Sequence, residues 1–97
     1  MEKIKNISTP IEAADVANAV GYAQSAFRDN YGITLKAKAV EKIRNFVATY
    51  GAVETVRAVE IACSQYYDAV EAMQKLGGIL YNRQRIKNDF FENGEEE

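Results

Sequence analysis

Apolar residues recur along the chain at steps of three and four, which is helical spacing. Ala13, Val16, Ala17, Val20, Ala23 and Phe27 form one stripe, and they predict a first helix over about 10–29. Thr9-Pro10-Ile11-Glu12 stands at its start. A threonine cap, a proline at the first helical position and an acid three residues after the cap together make a strong start signal. Gly21 inside the stripe weakens the helix by roughly 1 kcal/mol relative to alanine. Asp29-Asn30-Tyr31-Gly32 stops it, because Asn and Gly tolerate the left-handed backbone of helix ends.

A second helix is expected over about 35–50, with Thr34 as its cap and Ala39, Val40, Ile43, Phe46, Val47 and Tyr50 inside. Gly51 ends it. Val53, Val56, Val59, Ala62, Cys63 and Tyr66 predict a third helix over about 52–66, and the tight connection implies that the two pack as a pair. The clustered β-branched residues suggest a strand, but strict alternation fails at Ala58-Val59 and Ala62-Cys63. Asp68 is a good cap for a fourth helical stretch that turns Val70, Met73 and Leu76 inward. Gly77-Gly78 then ends or kinks it, or forms a close-packing notch, and the helical rhythm resumes over 78–87. Four such faces are most simply buried in a bundle. The expected fold is all-α: one compact domain of four to five helices over 9–88, a flexible arm over 1–8, and a disordered acidic tail over 89–97.

Composition narrows the chemistry. The 97 residues hold one cysteine, Cys63, and no histidine, which excludes a disulfide framework and a His/Cys zinc site. Cys63 falls in the valine stripe and reads as a small buried hydrophobe. The carboxylates are spread singly, and Glu12, Glu54 and Asp68 sit at helix starts, where the helix dipole accounts for them. No catalytic constellation, cofactor motif or metal cluster emerges, so a non-enzymatic protein is expected. Gly77-Gly78 lacks the frame of a phosphate loop. No apolar run spans a membrane and no signal peptide is visible, so the expectation is a soluble cytoplasmic protein.

Charge is unevenly placed. The net charge is −2, yet residues 88–97 carry five acids and no base. Before them, Lys75, Arg83, Arg85 and Lys87 occur with no acid between Glu71 and Asp89, and Tyr81 lies among them. Cations can hold phosphates, and a tyrosine can stack on an unpaired base. Lys36, Lys38, Lys42 and Arg44 form a second basic group, opposed in sequence by Glu41 alone. Lys75, Tyr81, Arg83, Arg85, Lys87, Lys38 and Lys42 are therefore the candidate nucleic-acid contacts. The alternative for both groups is an ordinary solvated helix face.

Three segments also carry a resemblance. Asn30-Tyr31-Gly32-Ile33-Thr34-Leu35 joins the first two helices, Tyr50-Gly51 precedes a valine-rich third, and Gly78-Ile79-Leu80-Tyr81-Asn82 closes the fourth. In this order they resemble the C-terminal domain of the DnaD-like family of primosomal and phage replication-initiation proteins. The resemblance covers roughly 12–86. It implies an all-helical domain that contributes to binding DNA, especially single-stranded DNA, and to helicase loading. That family's Tyr-xxx-Ile-xxx-Trp pattern falls on Lys75, Ile79 and Arg83, where only Ile79 matches. Cations in place of aromatics imply more backbone electrostatics and less stacking. The length leaves no room for the family's winged-helix domain, so the expectation is a small stand-alone phage or mobile-element protein. Its partners under this reading are single-stranded or duplex DNA, a replisome protein and a second copy of the chain. The competing expectation is a small phage-encoded module that inhibits a host nuclease or replisome component through an exposed apolar surface near Tyr66-Tyr67 or Phe90-Phe91.

Overall fold

The computed structural model describes residues 8–90, with side chains from residue 15 onward. Among these residues the chain is four helices: α1 Ser8–Tyr31, α2 Ala37–Tyr50, α3 Ala52–Gln65 and α4 Ala69–Phe90. None is long and apolar enough to cross a membrane. Residues 1–7 of the expected arm and most of the expected acidic tail lie outside the described residues, while Ser8 belongs to α1. Asp89 and Phe90, however, belong to α4.

α3 is the centre of the packing. It sits between α1 and α4, and α2 leans on the other three. Its buried line is Thr55, Ala58, Val59 and Ala62, and the small alanines let neighbouring helices approach. Phe27 of α1, Ile43 of α2, and Leu76 and Leu80 of α4 supply the bulk of the core. Thr55 is the one buried polar residue among those described, and its hydroxyl donates to the carbonyl of Gly51 at 2.8 Å. A buried hydroxyl satisfied in this way carries no desolvation penalty.

The ends of the helices are set by local chemistry. The amide of Gly32 (φ +69°) donates to the Arg28 carbonyl at 2.9 Å, closing α1 with a left-handed residue. The Tyr31 hydroxyl crosses to the carbonyl of Tyr66 at 2.6 Å, joining the C-terminal ends of α1 and α3. Gly51 is the single residue between α2 and α3, at φ +95° and ψ 158°. That region of backbone space is essentially restricted to glycine. The Asp68 carboxylate accepts the Glu71 amide at 3.0 Å, as expected of a cap.

Several expectations need correction. Lys36, not Thr34, precedes α2, and its side chain makes no capping bond. α1 begins at Ser8, ahead of the expected Thr9 cap, and the side chains of that box lie outside the described ones. α4 runs through Gly77-Gly78 as one continuous helix, without a stop. Nor is the glycine pair a close-packing notch. A methyl group at Gly77 would meet Phe46 at an ordinary 3.6 Å, and one at Gly78 would meet nothing. Ala17, Val53 and Val70 are exposed rather than inward, and Cys63 is half-buried.

Candidate nucleic-acid interface

The cations expected to form one surface on α4 fall on three sides of it. Arg83 and Lys87 continue the inward line of Ala72, Leu76 and Leu80. Arg83 there donates from Nε to Glu54 Oε1 of α3 at 2.7 Å, with both side chains substantially covered. The hydrogen bond from Arg83 holds the Glu54 carboxyl below its ordinary pKa, and Glu54 raises that of Arg83 in return. Lys87 adds to the positive field at Glu54. The sequence offered no acid near Arg83, but the fold brings one from 29 residues away. Lys75 is exposed on another side, away from α2.

Tyr81 and Arg85, four residues apart, occupy the third side, which faces solvent. Tyr81 is 60 % exposed. Arg85 reaches Asp89 at 3.5 Å, but both side chains are more than half exposed. Such a pair is worth little and opens readily in water.

The second basic group is better organised. Leu35, Lys36, Lys38, Ala39 and Lys42 meet Ala69, Val70, Met73 and Gln74 across a groove of about 710 Å³, closed at its end by Phe27, Ile33 and Thr34. Its floor is apolar, its rim carries three lysines, and no acid lines it. None of the three lysines has an ion-pair partner among the described residues, and Lys42 Nζ lies 6.0 Å from the centre of the Phe46 ring. Val70 and Gln74 belong to the same outward stripe of α4 as Tyr81 and Arg85, at helical steps of four and seven. The groove ends at Gln74, and the same helix face runs on past it to Tyr81 and Arg85, about 22 Å from Val70 to Arg85 at 1.5 Å per residue.

Lys36, Lys38 and Lys42 thus share one groove with Val70 and Gln74, while Tyr81 and Arg85 lie further along the same face of α4 and Lys75, Arg83 and Lys87 on its other sides. Val70, Met73 and Ile33 were not singled out for binding from the sequence. Tyr67, fully exposed beside Asp68, and Val70, 63 % exposed, put apolar surface at the same end of the molecule.

The depression of about 360 Å³ that holds Tyr22, Glu60 and Cys63 contains the only thiol of the chain. Burial pushes the Cys63 thiol up and away from the nucleophilic thiolate. No group of three or more potential metal ligands occurs among the described residues. Comparison with protein-family models, with curated proteins and with solved structures finds no match.

Proposed function

We propose that the protein is a non-enzymatic, replication-accessory domain that takes up single-stranded nucleic acid along the track from Lys36, Lys38 and Lys42 to Tyr81 and Arg85. The carrying observation is the groove with an apolar floor, three unpaired lysines and no acid. A single strand is anionic along its backbone and apolar on its base faces. Lysines hold phosphates electrostatically, and bases pack on apolar or aromatic surface without sequence preference. The order of segments that resembles the DnaD-like domain agrees with this reading. This reading keeps Lys38, Lys42, Tyr81 and Arg85 of the expected contacts, adds Lys36, and leaves out Lys75, Arg83 and Lys87.

A labelled oligothymidylate titration tests it. Binding should be tight at low salt, fall steeply as salt rises, and vanish when Lys38 and Lys42 become glutamate. No binding at low salt by the folded wild-type chain removes the proposal.

The second reading is a protein-binding module. It is favoured by one observation, the exposure of Ile33 and Val70 in the groove lining, with exposed Tyr67 three residues before Val70. In that case Val70→Asp and Tyr67→Ala abolish capture of a protein partner, and Lys38→Glu with Lys42→Glu leaves oligonucleotide affinity at its wild-type level.

A further inference from the structure

The groove has a match within the chain itself. The residues that close α4 and follow it read Asp89-Phe90-Phe91-Glu92-Asn93-Gly94-Glu95-Glu96-Glu97, two adjacent phenylalanines flanked by five acids with no base. The groove offers the complement: Ile33, Leu35, Val70 and Met73 for the rings, and Lys36, Lys38 and Lys42 for the carboxylates. Phe90 is 75 % exposed at the end of its helix, so this aromatic is uncovered within its own chain. An exposed aromatic of this kind is a candidate for burial against a partner.

Distance decides which chain's segment can fill the groove. Gln74 is the groove residue nearest to Phe90 along α4, 16 residues away, or about 24 Å at 1.5 Å per residue. Val70 lies about 30 Å from it on the same measure. Phe91 is bonded directly to Phe90, so its Cα stays about 3.8 Å from that of its neighbour. With α4 continuous, neither phenylalanine can reach the groove of its own chain.

We infer that the groove is occupied by the Phe90–Glu97 segment of a second copy of this chain. The phenylalanines lie on the apolar floor and the glutamates meet the lysine rim. Reciprocal exchange fills both grooves and closes the assembly at two copies, since a two-fold interface uses the same patches on each partner. The inference rests on the groove described above and on no bound nucleic acid. It makes self-association and strand binding competitors for the same three lysines.

A charge-exchange experiment on the full chain, read by light scattering without nucleic acid, tests it. One variant carries Lys36→Glu, Lys38→Glu and Lys42→Glu, and the other carries Glu95→Lys, Glu96→Lys and Glu97→Lys, with circular dichroism confirming that both are folded. The wild type should dimerise at low salt. Each variant alone should associate at least tenfold more weakly, because like charges then face each other. An equimolar mixture of the two should recover the dimer, because opposite charges meet at both exchanged contacts. A wild type that stays monomeric at every concentration overturns the inference. So do variants that associate as the wild type does, or a mixture that stays monomeric. Dimers without oligonucleotide affinity keep this inference and remove the nucleic-acid reading, and monomers that bind oligonucleotide do the reverse.

Discussion

At the scale of single residues, Arg83 shows why a basic run cannot be read from one helix alone. From Glu71 to Asp89 the sequence holds only cations, yet Glu54 of α3 takes Arg83 out of the surface. Lys38 and Lys42 have no such partner, although Glu41 stands beside Lys42 in the sequence and no acid stands beside Arg83. The Arg83–Glu54 pair is partly exposed, so it is worth roughly 0.5–1 kcal/mol after solvent screening. Its pH dependence follows from the lowered pKa of Glu54. A carboxyl depressed in the folded state stabilises above its unfolded pKa, and that contribution is lost as pH falls through the folded value. Glu54→Gln should therefore melt below the wild type near neutral pH, with the gap closing below about pH 4. An equal gap at both pH values contradicts the pairing.

At the scale of elements, the helices and their order were legible, and the inward faces less so. Period alone separates helix from strand, and all four segments lie where the stripes put them. Two of the errors, Val53 and Val70, share one cause, a preference for large apolar residues over small ones. Val53 and Val70 were expected inside and point outward, while Thr55, Ala58 and Ala72 occupy the close contacts around α3. Where helices nearly touch, there is room only for small side chains, and hydrophobicity ranks them too low. The glycines divide by backbone conformation. Gly51, at φ +95°, should not tolerate a side chain, and Gly51→Ala should cost about 1–3 kcal/mol in a denaturant melt. Gly78 is helical, and open space lies where a methyl would go. Gly78→Ala should stabilise by roughly 0.5–1 kcal/mol. A destabilised Gly78→Ala variant contradicts this open, helical setting of Gly78.

At the scale of the whole molecule, the groove was not legible at all. It needs the loop after α1, the start of α2 and the first turns of α4 to meet, and no local pattern announces that meeting. Met73 reads as an ordinary core residue and Ile33 as part of a connecting turn, until the fold places both in the lining of one opening. The basic segments were visible, but which of them share a face depends on helix packing. The outcome is a molecule measuring 43 × 31 × 19 Å, with unpaired lysines at and just before α2 and with Arg83 of α4 paired to Glu54 of α3. The measurement that tests this placement most directly compares two double variants of equal charge, Lys38→Ala with Lys42→Ala and Lys75→Ala with Lys87→Ala, in a salt-dependent oligothymidylate titration. The track predicts that the first pair weakens binding strongly and flattens the logarithmic salt slope by about 1.4, at roughly 0.7 per lost phosphate contact. It predicts that the second pair leaves the slope unchanged. Equal losses in both pairs would mean that net charge alone governs binding, contradicting the track.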